Sequence, residues 1–474
     1  MAQQSTSLLS LPDELLVQIF DPLADPIEDG YDPLLPVLSV CRRFHNVAKP
    51  ILYSVIYISS SSPSTQLFQA ALKQNPALGQ LVRTLELHDT GFSLYMVREM
   101  QEMLHAFPNL KDLSVYDTEP YDASAVLAAL PTTSLRLLDM HLSWADEPSH
   151  WQDLQSQLSR FSELRVLKCE DPYRDPIPDR VLFHPSRHPE QHLSLPNLFE
   201  LRTTDYNFIK LLEGRGPLRK ILPNLQALHI TISRSRHAPA VSAFLSDLPL
   251  SVAKLSISST TGHGVPRGWL STLPAVRRLD IGSETFAEGA AESELLAYLA
   301  TATTLELIGF DLHVEVTDHL LRALTGDERP PQLQQIRLDH VVRGRSESQT
   351  SKTLELHEAA ELQQNAEALR QTHQPRWPDG ATEQGLQLAL AAANANGIQV
   401  TGRALDCIGW HANFDRLLAN RMMEQALKMD RYDYVIARFG AEAAVAWLKK
   451  RAPNTIQLLR AHRSALDSDD DAEP

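Results

Sequence analysis

Cysteine is scarce in this chain of 474 residues, and the three that occur, Cys41, Cys169 and Cys407, lie far apart. An odd number with no close pair gives neither a disulfide framework nor a zinc-ligand spacing. No Asn-x-Ser/Thr sequon is present, which agrees with an intracellular protein. Met1-Ala2-Gln3-Gln4-Ser5 shows no basic region ahead of an apolar core, so no secretory signal is expected. No uninterrupted apolar run approaches the length that spans a bilayer. The expectation is a soluble protein of the cytoplasm or nucleus with no membrane partner.

An excess of positive charge is also lacking. The formal net charge is -15. A general nucleic-acid surface needs clustered Lys and Arg, so no nucleic-acid partner is expected. The motifs HExxH, GxxxxGK[ST], GxGxxG and GxSxG are all absent. His184, His188 and His192 recur at helical spacing, but Pro185 and Pro189 break any such helix and no cysteine stands nearby. Cys407 lies near Trp410 and His411 in an amphipathic segment, where a buried thiol behaves as a small apolar group. No catalytic residue, metal or cofactor is expected.

What is present is ordinary in bulk and particular in pattern. Apolar residues make up 43% of the chain and charged ones 22%, as in a soluble globular protein with room for two or three domains. The chain is organised around Leu11-Pro12-Asp13-Glu14-Leu15-Leu16-Val17-Gln18-Ile19-Phe20, completed by Val40-Cys41-Arg42-Arg43-Phe44. Pro12 suits a first helical turn, and Asp13 and Glu14 set negative charge at the positive end of the helix dipole. Leu15, Leu16, Ile19, Phe20 and Leu23 make one apolar stripe. A second periodic segment carries Leu34, Leu35, Leu38, Cys41, Phe44 and Val47, and Pro50 is expected to end it. A unit of about 50 residues is marginal alone and gains from a partner.

These residues resemble the F-box, the motif that docks on the Skp-type adaptor of cullin-based ubiquitin ligases. Ala48-Lys49-Pro50-Ile51-Leu52-Tyr53 is similar to the close of that module in many fungal F-box proteins. The resemblance covers residues 8–53 and implies a three-helix fold. It also implies that Leu11, Pro12, Leu15, Leu16, Ile19, Leu38, Val40, Cys41 and Phe44 face the adaptor. The segment from Asp21 to Asp32, with Pro22, Pro26 and Gly30, is longer than the family's usual connection.

Residues 54–77 read as a linker strand, Val55–Ile58, and a helix, Thr65–Gln74. A repeat follows over 78–345, with the unit Leu-x-x-Leu-x-Leu. Its second apolar position falls at 85, 113, 138, 167, 201, 228, 255, 279, 305 and 336. A period in the twenties predicts a leucine-rich-repeat solenoid of about ten repeats, an α/β fold with a curved parallel sheet and outer helices. Each strand can bury its leucines only against the next coil. Phe92–His105, Ala290–Ala300 and Val316–Leu324 are expected to be outer helices. The Leu-Pro-Asn-Leu or Phe-Pro-Asn-Leu segments at 107–110, 195–198 and 222–225 read as turns before strands. The asparagine ladder of the most regular repeats is absent.

Asp171–Ser194, with five prolines and three histidines, reads as a long polar loop, and Ser258–Arg267 as a shorter one. From Thr353 the strand pattern stops. Helices are expected at 353–372, 382–396, 403–428, 440–451 and 454–465, as a helical cap or module over 353–466, before an acidic disordered tail at 467–474.

The repeats carry no enzymatic motif, and irregular repeats of this kind commonly follow an F-box in ligase substrate receptors. The resemblance therefore implies a non-catalytic substrate-recognition subunit of a Skp–cullin–F-box ligase. Its partners would be a Skp-type adaptor, through it a cullin, and a target protein. The alternative is a repeat scaffold that never assembles a ligase, which predicts full burial of Leu15, Ile19 and Phe44 within the chain. Charged strand positions such as Glu86, Lys168 and Arg337 are expected to point outward.

Overall fold

The structure is a computed structural model. It describes residues 8–23, 34–59, 62–88, 101–131, 134–142, 148–170, 193–212, 218–233, 237–259, 268–273, 275–282, 285, 291–311, 314, 316–339, 367–372, 374–410, 414–419 and 421. The chain forms two compact units, Met1–Pro274 and Ala275–Pro474.

The first unit opens with helices α1 (Asp13–Phe20), α2 (Leu34–Val40) and α3 (Arg42–Leu52). Strands follow: β1 (Val55–Ser59), β2 (Thr84–His88), β3 (Asp112–Thr118), β4 (Leu137–Leu142), β5 (Val166–Glu170), β6 (Glu200–Thr204), β7 (Ala227–Ile232) and β8 (Lys254–Ser259). Each pairs in parallel with the next in chain order. A parallel pair needs a crossover, and helices such as Pro63–Gln74, Pro120–Ala129, Pro148–Leu158 and Ala238–Leu245 supply it.

The register explains why leucine recurs. Ile56, Leu85, Leu113, Leu138, Leu167, Leu201, Leu228 and Leu255 are successive partners. All are buried. Each buried leucine contributes roughly 1.5–3 kcal/mol of transfer free energy, realised only when the neighbouring coil is in place. β1 is therefore a full member of the ladder rather than a linker strand.

The second unit carries β9 (Arg278–Ile281), β10 (Leu307–Phe310), β11 (Gln335–Leu338) and β12 (Gln399–Thr401), again parallel in chain order. Here the expected alignment is corrected at one repeat. Leu279 pairs with Ile308, and Ile308 with Ile336, so the second apolar position is 308 and not 305. Leu305, Glu306 and Leu307 also fit the unit's spacing; only Phe310, buried beside Ile308, completes the true one.

The strand pattern does not stop at Thr353. β12 pairs with β11 through Val400 and Ile336, and the helix Glu383–Ala395 leads into it. The expected helix at 403–428 is broken. Arg403–Cys407 is a short 3-10 helix, and Gly402 and Gly409 take positive φ values of 112° and 68°. A Cβ at Gly402 would collide with the Leu338 backbone, so only glycine fits there. Residues 414–419 are helical, and 367–372 are the described part of the helix expected at 353–372. The helices expected at 440–451 and 454–465, the acidic tail, most of the loop at 171–194 and residues 92–100 lie outside the described residues.

The Pro-Asn turns do more than turn. Asn109 Nδ2 donates to the Gln80 carbonyl at 2.8 Å, Asn197 to Ser162 at 2.8 Å and Asn224 to Pro196 at 2.7 Å. Ser251 continues the series, donating to the Pro223 carbonyl at 3.1 Å. Each side chain thus ties its coil to the turn of the coil before.

Candidate functional site

The three N-terminal helices bury a small core. Leu16 and Phe20 on α1 meet Leu34 on α2 and Phe44, Val47, Ala48 and Ile51 on α3. Phe20 and Phe44 pack edge to face, with ring centroids 5.3 Å apart at 73°. Cys41 caps α3, its Sγ accepting from the Phe44 amide at 3.5 Å. Arg43 closes the unit. Its Nε donates to Asp13 Oδ1 at 2.8 Å, its Nη1 to the Leu9 carbonyl at 2.6 Å and its Nη2 to the Leu11 carbonyl. One planar fork thereby fixes the start of α1 against the start of α3.

Pro50 does not end α3, which runs on to Leu52. The missing proline amide leaves only the Asn46 carbonyl without its helical donor, and both residues are exposed, so water can serve it.

What this core leaves out is apolar. Leu15 is 42% exposed, Ile19 41%, Leu35 54% and Val40 62%. Among the described residues thirteen large apolar side chains are exposed, and seven of them fall within residues 8–40. Scattered singly such residues need no explanation; gathered in so short a unit they form an exposed apolar surface.

The strand faces contrast with this. Lys168 Nζ bonds Asp139 Oδ2 at 2.8 Å, and Arg202 Nε bonds Glu200 Oε1 at 2.6 Å. Burial pushes the Glu200 carboxyl up, but Arg202, His229 and Lys254 outweigh it and hold it below the ordinary value. His88 stacks on Tyr116 at 4.3 Å, and Tyr116 meets His141 at 4.5 Å. In the second unit Arg337 Nη2 reaches Asp280 Oδ1 at 3.0 Å across β10, where a Cβ on Gly309 would strike Asp280. Glu86, Lys168 and Arg337 are half-buried, and each pairs with a neighbour on its own face.

Two of the three thiols, Cys169 and Cys407, lie inside the protein. Burial, then Asp406 and Glu383, pushes Cys407 up to about 11, and burial raises Cys169 well above its ordinary value. Among the described residues no group of three or more His, Cys, Asp and Glu could hold a metal ion, and no helix is long and apolar enough to cross a membrane.

The family model of the COS11 F-box domain matches residues 8–91. The chain carries an F-box domain. No curated protein matches the sequence. Among solved structures, the leucine-rich repeat-containing protein LegL7 from Legionella pneumophila is 17% identical, with a TM-score of 0.38, covering 66% of this chain and 88% of that one. The Rad7 and Elc1 complex in yeast gives 13% identity and a TM-score of 0.34 over 69% and 76%. At these scores neither likeness adds to what the strand register already establishes, a parallel leucine-rich-repeat ladder behind the F-box.

The nine F-box residues expected to face an adaptor fall into three groups. Pro12, Leu15, Ile19 and Val40 are exposed, and Leu11, Leu38 and Cys41 are half-buried. Leu16 and Phe44, at 0% and 6% exposure, sit in the unit's own core, Leu16 on the face of α1 that meets α2 and α3 and Phe44 opposite Phe20. Leu35, exposed on α2, belongs with the open group, and only its ambiguous register hid it.

Proposed function

We propose that this protein is a substrate-recognition subunit of a Skp–cullin–F-box ubiquitin ligase. The F-box would dock on a Skp-type adaptor and through it a cullin, while the repeat ladder binds a target protein. The chain would need no catalytic residue. Holding target and ligase core together raises the rate through effective concentration. The observation that carries this reading is the F-box domain itself, with Leu15, Ile19, Leu35 and Val40 left outside its core. The scaffold alternative required Leu15, Ile19 and Phe44 all to be buried within the chain; Phe44 is buried, but Leu15 and Ile19 are exposed.

The boundaries that go with the proposal are a docking module at 8–53 and the repeats carried by β1 to β8 in the first unit and β9 to β12 in the second. Leu15→Ala combined with Ile19→Ala tests it by capture of a purified Skp-type adaptor. The expected loss is at least about tenfold, since two exposed anchors each contribute of order 1 kcal/mol or more. The circular dichroism spectrum should not change. Capture that is indifferent to the double substitution would defeat the proposal.

A further inference from the structure

The residue just ahead of each strand in the first unit forms a row of its own. The Lys111 amide donates to the Arg83 carbonyl at 2.8 Å, the Arg136 amide to Lys111 at 2.7 Å and the Arg165 amide to Arg136 at 2.8 Å. Arg83, Lys111, Arg136 and Arg165 therefore occupy one position on four successive coils, about 4.8 Å apart. All four are exposed. Among the described residues none of them makes an ion pair, although the chain carries 59 carboxylates against 44 Lys and Arg. Four cations in line, of which Lys111 and Arg136 have only the half-buried Asp112 carboxylate acting on them, need an explanation other than stability, because like charges at this spacing repel.

The row ends at an exposed aromatic ring. The next position is Phe199, 46% exposed, whose amide bonds the Arg165 carbonyl at 2.7 Å. Arg165 and Phe199 line a groove of about 740 Å³ with Val166, Asn197, Asn224 and Gln226, and Glu163 puts one carboxylate on its wall. The second unit is a built-in contrast. There the same position is held by Arg277 and Glu306, which pair at 3.7 Å and cancel.

We propose that Arg83, Lys111, Arg136 and Arg165 dock an extended acidic segment of a partner protein, whose apolar side chain seats against Phe199. Charge complementarity selects the occupant. The amides between the cations are taken by the ladder, so no cluster of donors converges on one point, as a phosphate dianion would require. Single cations spaced along a line fit carboxylates spaced along an extended chain. The inference deepens the receptor reading and rests on it only for calling that partner a ligase target.

The test uses the full chain and a fluorescent peptide of alternating glutamate and serine that ends in leucine, read by anisotropy. Binding should weaken with salt, as exposed charges are screened. Arg83→Glu with Arg165→Glu should weaken it about tenfold or more, and Arg277→Glu should leave it unchanged. If the double reversal does not fold, Lys111→Gln with Arg136→Gln should still cost about threefold. No response to either pair overturns the proposal. So does equal binding of a glutamine peptide, or tighter binding of a singly phosphorylated neutral peptide or of single-stranded RNA. Adaptor capture by the Arg83/Arg165 variant is measured alongside. Its loss in the wild-type chain with peptide binding intact would remove the receptor reading and leave the acidic-segment site standing.

Discussion

The F-box and the strand ladder behind it handle apolar side chains in opposite ways. In the ladder the leucines are consumed by the next coil, and what faces water is charge: Glu86, Lys168, Arg202 and the row from Arg83 to Arg165. In the F-box the core takes Leu16, Phe20 and Phe44 and leaves Leu15, Ile19, Leu35 and Val40 in water. A repeat can satisfy its apolar face by adding a neighbour, whereas three short helices have no further neighbour of their own kind. The difference leaves two kinds of surface on one chain, an apolar face on the F-box and a charged one along the strands.

The largest effect should come from crossing that division within α1. Leu16→Ala removes a side chain at 0% exposure and should cost about 2–5 kcal/mol. Leu15→Ala, one residue away, should stay within about 0.5 kcal/mol. Hydrogen exchange of the α3 amides reads both, since local opening reports the stability of this unit separately from the ladder. Similar protection in the two variants would erase the proposed distinction between core and docking face.

A middle-sized effect should come from the turns. Asn224→Ala deletes the 2.7 Å bond to the Pro196 carbonyl and should destabilise by about 1 kcal/mol. Exchange should quicken at the start of β6 and β7 and not in α3. Unaltered exchange there would reduce the asparagine series to a decoration of the turn.

The ladder was legible because its period is written in residue type. Leu-x-x-Leu-x-Leu fixed the parallel strands from β2 onward, and alternation fixed their buried face. It misled at Leu305, where two overlapping frames fit and only the pairing of Ile308 decides. It missed β12, which offers three residues and a single half-buried valine in register with Ile336. It also missed the helix Asp205–Leu212, all eight of whose residues are buried, Asp205, Asn207 and Lys210 included. In the F-box, spacing located the apolar stripe but could not divide Leu15 from Leu16. That division depends on where α3 crosses α1, which no local pattern records. The Asn of each Leu-Pro-Asn-Leu stood in plain view. Its role was hidden because the carbonyl it meets belongs to another coil.

The smallest effect concerns Asp112, which lies beside the cationic row. Burial raises its carboxyl above the ordinary 3.8, and the Thr84 hydroxyl, Lys111 and Arg136 only partly offset that. A carboxylate whose folded pKa is raised makes the ionised folded state less stable. The cost is present above the folded pKa and is relieved as pH falls through it towards 3.8. Asp112→Asn keeps an oxygen that can accept from Thr84, so it should stabilise the first unit slightly at neutral pH. The gain should shrink to nothing in acid, as followed by thermal unfolding at stepped pH. A gain that grew in acid would reverse the sign and mean that Lys111 and Arg136 already satisfy Asp112. As it stands, two neighbouring cations fail to hold even this half-buried carboxyl at its ordinary value.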